Sequence, residues 1–133
     1  MTVSRTRVKE TLRRLNEAEN SRSKVSVGET IARIDAVMAE NVEGWHNGVH
    51  VSNREAERQG ERVLFEAVAD YHRDFERVII DPPFAAFTWR ITGTARGKAL
   101  DILGCSVLEI NDEGKVWHYW LYMDSAQLAG IFG

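Results

Sequence analysis

The chain changes from a helical to an extended pattern near Asp70, and this change limits the folds open to it. Before Asp70, apolar residues recur three and four positions apart between charged residues, as they do on amphipathic helices. After it, runs of β-branched and aromatic residues alternate with turn residues, which is typical of strands. Helices followed by strands predict an α+β domain with an antiparallel sheet and the helices on one of its faces. The 133 residues include no linker-like stretch, so residues 1–133 are predicted to form one domain.

Three helices are predicted in the first half of the chain. Two of them begin at capping signatures, in which a Ser side chain accepts a hydrogen bond from a backbone N–H in the first turn. These signatures are Ser26 to Glu29 and Ser52 to Glu55. The predicted helices run from Val3 to about Asn20, from Ser26 to about Glu40, and from Ser52 to about Ala69.

The segment between the second and third helices, Glu43 to His50, is predicted to be a loop. It contains two glycines, two histidines and Trp45. Loops that carry such side chains often contact ligand, so Trp45 is a candidate substrate-binding residue.

Four strands are predicted after the change, separated by turns that contain proline or glycine. The second turn, Asn111 to Gly114, has the polar residues and glycine of a hairpin loop. The predicted strands are Phe75 to Ile80, Phe84 to Thr92, Ala99 to Ile110 and Val116 to Met123.

Composition excludes several classes of function. The formal charge of -3 argues against a nucleic-acid partner, and no apolar run approaches the ~18 residues of a membrane span. Cys105 is the only cysteine, so no disulfide can form within the chain. A cytoplasmic protein without nucleic-acid or membrane partners is predicted.

Two segments of the second half resemble the SnoaL-like polyketide cyclases of the nuclear transport factor 2-like (NTF2-like) superfamily. One is Trp89 to Gly97, which is similar to a family strand ending in Gly-Thr-x-x-Gly. The other begins at Asp112 and leads into Trp120 and Asp124. The resemblance implies an NTF2-like cone, in which three N-terminal helices pack on a strongly curved antiparallel or mixed sheet around a deep, apolar pocket.

The resemblance also implies a catalytic role for Asp124, because an aspartate on the last strand is the acid/base of these cyclases. Strict alternation along that strand places Val116, His118, Trp120, Tyr122 and Asp124 on one face. This even-numbered set is predicted to face the pocket. His118 or Tyr122 would then hydrogen-bond to a developing enolate oxygen, and Trp120 would raise the pKa of Asp124 by desolvation.

Structural roles are open for the same residues. Asp124 is equally well placed to cap a C-terminal helical turn, and His118 to be an ordinary strand histidine. Candidates for lining the pocket are Trp89, Trp120, Tyr71 and Phe87, but aromatic residues also fill cores. No spacing matches a metal or nucleotide signature, so no metal and no cofactor are predicted.

Two functions are therefore predicted. The first is a cofactor-independent cyclase, isomerase or dehydratase acting on a small to medium apolar substrate. The second is a non-catalytic domain that binds a small apolar ligand or mediates association; it remains open because Ala95 occupies a motif position where many relatives carry histidine. The odd-numbered set, Trp117, Tyr119, Leu121 and Met123, is predicted to form an outer face through which the protein dimerises.

Overall fold

A computed structural model describes residues 2–51 and 53–132 of the chain. These described residues form four helices and six strands, together with short 3₁₀ turns at Ser21–Ser23 and Ser125–Leu128. The helices are α1 (Arg5–Asn20), α2 (Val27–Asp35), α3 (Arg54–Ala67) and α4 (Ala129–Phe132). The strands are β1 (Met38–His46), β2 (Val49–Val51), β3 (His72–Asp81), β4 (Phe84–Ala95), β5 (Lys98–Ile110) and β6 (Val116–Met123).

Side-chain caps define where α2 and α3 begin. The Ser26 hydroxyl accepts a hydrogen bond from the Glu29 backbone N–H at 3.1 Å, as predicted. The Asn53 side chain accepts one from the Ala56 backbone N–H at 2.9 Å. Ser52, the first residue of the predicted signature, lies outside the described residues.

The six strands form one mixed sheet in the order β2-β1-β6-β5-β4-β3. The β1–β6 pair is parallel and the remaining pairs are antiparallel. Three helices precede most of this curved sheet, so the predicted α+β class, with helices packed on a mixed sheet, is confirmed. Among the described residues, no helix is both long and apolar enough to cross a lipid bilayer.

The prediction was wrong between α2 and α3. Helix α2 ends at Asp35 instead of near Glu40, and the predicted loop from Glu43 to His50 belongs to the β1–β2 hairpin. Asn47 and Gly48 form its two-residue turn with φ angles of 50° and 83°, the backbone that Asn-Gly favours. Pairing with β6, which is distant in sequence, outweighs the local helical pattern in this segment.

A β-bulge interrupts β6 near its start. Val116 pairs with Ile110 but His118 pairs with Glu109, so Trp117 has no residue opposite it on β5. Val116 and Tyr119, three positions apart, are consequently both buried, with exposed fractions of 0% and 8%. From His118 onward, the bulge therefore exchanges the side chains of β6 between the two faces of the sheet, compared with strict alternation.

The hydrophobic core lies between the inner face of the sheet and helices α1 to α3. One apolar stripe on each of α1 and α2 packs toward the sheet, and Phe65 and Val68 extend this layer from α3. The largest buried side chains are Trp89, Tyr71 and Phe65. The same layer surrounds the cavity described next.

Candidate functional site

A cavity of about 430 Å³ lies between the inner face of the sheet and helices α1 and α3. Its wall is mostly apolar, with Phe65, Phe87 and Trp89 among the aromatic residues. This volume falls within the range of small-molecule sites. The polar side chains in the wall are Glu19, His46, Glu57, Glu61, Tyr71, Arg73, Ser106 and Tyr119.

Glu61 is the most perturbed acid of the cavity. It lies on α3 one turn after Glu57, and its Oε2 atom is buried without a hydrogen-bond partner among the described residues. Burial is the main cause that raises the pKa of Glu61 to about 8, and the charges of Glu19 and Glu57 add to it. The Glu61 carboxyl is therefore mostly protonated at pH 7 and is able to give or take a proton near neutrality.

A histidine and a tyrosine lie next to Glu57. His46 on β1 places its Nε2 atom 3.0 Å from Glu57 Oε1 and 3.3 Å from the Tyr119 hydroxyl. Burial, followed by the Glu57 charge, raises the pKa of Tyr119 above its ordinary value, so its hydroxyl stays protonated. Tyr119 can donate a hydrogen bond to a ligand oxygen.

Glu19 is held by two partners. The Tyr71 hydroxyl donates to Glu19 Oε1 at 2.7 Å, and Arg73 Nη2 lies 2.7 Å from Glu19 Oε2. Arg73 also donates from Nε to Asn16 Oδ1 at 3.0 Å. Burial raises the pKa of Tyr71 well above its ordinary value. This buried network fixes both the Glu19 carboxylate and the Arg73 guanidinium in the cavity wall.

Trp89 forms part of the sheet side of the cavity. Its Nε1 donates to the Ser106 hydroxyl at 2.9 Å, which satisfies the polar atom of a side chain only 2% exposed. Gly104 makes room for the indole, because a Cβ at this position would lie 2.2 Å from Trp89 Cζ2. The structure thus places Trp89, like Tyr71, in the cavity wall.

The other predicted residues lie elsewhere. Trp45, His118 and Trp120 are on the opposite face of the sheet, where the rings of Trp45 and Trp120 stack with centroids 5.3 Å apart. His118 Nδ1 lies 2.8 Å from Glu109 Oε1. Tyr122 is on this outer face as well and is 48% exposed.

From His118 onward the choice of the even-numbered set as the pocket face was therefore wrong, and so was the choice of the odd-numbered set as the outer face. The bulge at Trp117 shifts the alternation by one residue, so that Tyr119, Leu121 and Met123 line the cavity. Asp124 is exposed and accepts a hydrogen bond from the Ala126 backbone N–H at 3.0 Å, as a cap of the following turn. The catalytic roles of Asp124 and His118 stay sequence predictions without support from this geometry.

The cavity carboxylates had a signal in the sequence. Glu57 and Glu61 share a helical stripe with Leu64, Phe65 and Val68, at spacings of three and four residues. Acids normally occupy the opposite, solvated face of such a helix. Carboxylates on an apolar stripe thus indicate a buried polar site, and Glu19 continues the stripe of α1 in the same way.

Metal binding has no visible basis in this arrangement. Within residues 2–51 and 53–132, no group of three histidine, cysteine or acidic side chains is placed to hold a metal ion.

Comparisons with known proteins agree with this architecture. The sequence model of the SnoaL-like domain matches residues 12–119. No curated protein matches the sequence. A protein from Jannaschia sp. CCS1, provisionally assigned as a SnoaL-like polyketide cyclase, is similar in structure with a TM-score of 0.75 and 19% identity, over 95% of this chain and 92% of that one.

Two further solved structures are similar. An LEH-like epoxide hydrolase from M. tuberculosis has a TM-score of 0.71 and 14% identity, over 95% of this chain and 90% of its own. An NTF2-like protein of unknown function from Exiguobacterium sp. 255-15 has a TM-score of 0.73 and 16% identity, over 86% of this chain and 98% of its own. At these identities the structural matches establish the fold alone.

Proposed function

The chain belongs to the SnoaL-like domain family, and we propose that it is a cofactor-independent acid/base enzyme for a small to medium apolar substrate. One observation carries the proposal. Glu61 lines a mostly apolar cavity, and its carboxyl has a buried oxygen free of hydrogen bonds among the described residues and a pKa raised to about 8. A proton-transfer group with a pKa near the working pH is what general acid/base catalysis requires.

The proposed chemistry moves one proton within the substrate. Ionised Glu61 removes a proton from a carbon next to a carbonyl, and the negative charge develops on the carbonyl oxygen. The Tyr119 hydroxyl, next to His46, donates a hydrogen bond to that oxygen. Protonated Glu61 then returns the proton to another atom of the substrate. Isomerisation, aldol-type cyclisation and dehydration all use such steps.

A simple C–H acid tests the proposal without knowledge of the natural substrate. The probe 5-nitrobenzisoxazole loses its ring C–H proton to a base while its N–O bond breaks, and the product is a coloured phenolate. We expect the reaction rate to rise with pH through about 8 and to level off above it, because only ionised Glu61 accepts the proton.

Two variants complete the test. Glu61→Gln keeps the shape but cannot accept the proton, so the rate should fall by about 100-fold or more. Glu66→Gln removes an exposed carboxylate of the same helix and should keep the wild-type rate. Equal rates in wild type and Glu61→Gln would overturn the proposed role of Glu61.

A ligand-binding domain without turnover is the second candidate. It is favoured because few polar side chains of the cavity wall are free to take part in catalysis: Glu19 already contacts Arg73, and Glu57 already contacts His46. Saturable binding of the probe without pH-dependent conversion would support this second function.

We also propose a homodimer through the outer face of the sheet, formed by a different set of residues from the one predicted. The stacked pair Trp45 and Trp120, with Tyr122 beside it on β6, offers an aromatic surface that a second copy of the chain would cover. Sedimentation at micromolar concentration should show a dimer, and Trp120→Glu should convert it to monomer. A wild-type monomer would refute this proposal.

A further inference from the structure

We propose that the cavity selects ligands that carry a protonated amine on an apolar body. The amine binds beside the carboxylates of Glu57 and Glu61. The inference rests on the proposed function and names the substrate class of the same cavity. Three observations support it: the excess of acidic side chains in the cavity wall, the Glu61 oxygen without a hydrogen-bond partner among the described residues, and the aromatic residues of the same wall.

The wall contains more acids than bases. Glu19, Glu57 and Glu61 line the cavity, whereas Arg73 and His46 are its only basic side chains among the described residues. Each base already contacts a carboxylate, Arg73 at 2.7 Å from Glu19 and His46 at 3.0 Å from Glu57. Among the described residues no lining cation is therefore left for Glu61, and a bound cation would be the partner that its ionised form lacks.

The position of Glu61 makes it the recognition point. Glu61 is one of the residues that line the cavity, and its Oε2 atom is buried without a hydrogen-bond donor among the described residues. A buried polar atom of this kind costs free energy until a donor reaches it. An ammonium group supplies both the N–H donor and the charge, and a charge-assisted hydrogen bond is stronger than a neutral one.

The apolar wall suits the rest of such a ligand. Phe65, Tyr71, Phe87, Trp89 and Tyr119 all contribute to the lining. Aromatic faces attract cations most strongly where water is excluded. A carboxylate or phosphate ligand would instead meet the charge of Glu57 in a setting of low dielectric constant and be repelled.

Binding of a cation also changes Glu61 itself. The groups that act on its carboxyl are Glu19 on α1, Glu57 and Arg58 on α3, and Asp35 at the end of α2. Three of these four are acidic and favour the protonated form. An ammonium group next to the carboxyl opposes them and lowers its pKa, so the ligand drives off the proton and produces the base form that the proposed chemistry uses.

Calorimetric titration of the full chain at pH 7 tests the inference with three ligands that share one apolar body. These are 4-phenylbutylamine, 4-phenylbutanol and 4-phenylbutanoate, which present a cation, a neutral group and an anion. We expect the amine to bind about tenfold or more tightly than the alcohol and the carboxylate to bind most weakly. Titrations in phosphate and in HEPES, which differ in ionisation enthalpy, should show release of about one proton per bound amine.

Glu61→Gln should bind the alcohol as the wild type does, which also shows that it is folded, and should lose both the amine preference and the proton release. Glu66→Gln is the matched control and should keep both. If the alcohol binds as tightly as the amine, or no proton is released, the amine selectivity is wrong while the cavity and the role of Glu61 proposed above stand. If none of the three ligands binds, both the selectivity and the proposed apolar site fail.

Discussion

Replacing Glu61 with glutamine should make the protein more stable near neutral pH. In the folded chain the pKa of Glu61 is raised from 4.5 to about 8, so the ionised carboxylate is disfavoured there. In the unfolded chain the carboxyl ionises near its ordinary pKa. Between these two values the folded state binds more protons, and the free energy of unfolding must fall as the pH rises.

The magnitude follows from the two pKa values. One pKa unit corresponds to about 1.4 kcal/mol, so wild type loses about 3 kcal/mol between pH 4.5 and pH 7 through this one group. Glutamine has the same shape and no charge, but its amide must also be desolvated. We therefore expect Glu61→Gln to be more stable than wild type by about 1 to 3 kcal/mol at pH 7.

Urea denaturation of both proteins at intervals from pH 4.5 to pH 8.5 measures the effect. The difference in free energy of unfolding should be smallest near pH 4.5, grow as the pH rises, and become constant above about pH 8. The other titrating groups contribute to both proteins and cancel in the difference. A difference that is constant over the whole range, or a variant that is less stable at pH 7, would refute the description of Glu61 as a desolvated acid.

Three further substitutions test other parts of the site. Arg73→Met leaves the buried Glu19 carboxylate without its cation and should lower the free energy of unfolding by about 3 to 5 kcal/mol in urea; a loss below about 1 kcal/mol would show that the pair is solvated. Gly104→Ala places a Cβ 2.2 Å from Trp89 Cζ2, so thermal unfolding should show a loss of about 1 to 3 kcal/mol in the free energy of unfolding. Indole fluorescence should report the displaced Trp89 ring, and an unchanged spectrum would contradict the packing. Asp124→Asn should keep the exposed cap and change stability by less than about 0.5 kcal/mol, with the probe reaction unaffected; loss of that reaction would return the acid/base role to Asp124.

Elements defined by local patterns were predictable from the sequence. The Ser26 cap, the apolar stripe of α1 and the strands β3 to β6 each depend on residues that are neighbours in the chain. The family resemblance came from the strand motif that begins at Trp89, and the family and fold are confirmed. The Asn47 and Gly48 turn was also visible, as the strongest short hairpin signal, but was assigned to a loop.

The candidate site was less predictable because it depends on register. The bulge at Trp117 is set by pairing with β5 and β1, which no local pattern reveals, and one displaced residue exchanged the two faces of β6. The predicted acid, Asp124, follows the last strand, whereas the cavity acids Glu57 and Glu61 lie on a helix. Their position on the apolar stripe of α3 was the available evidence.

The most direct test of the account is the pKa of the Glu61 side chain. It can be followed by NMR titration of the ¹³C-labelled carboxyl groups from pH 3 to pH 10, with the Glu61 signal assigned by its absence in Glu61→Gln. We expect the Glu61 carboxyl to titrate at about 8, far above the ordinary value of 4.5. A Glu61 signal that titrates between about 4 and 5 would contradict it, because a carboxylate of that kind is solvated and poorly suited to proton transfer in an apolar cavity.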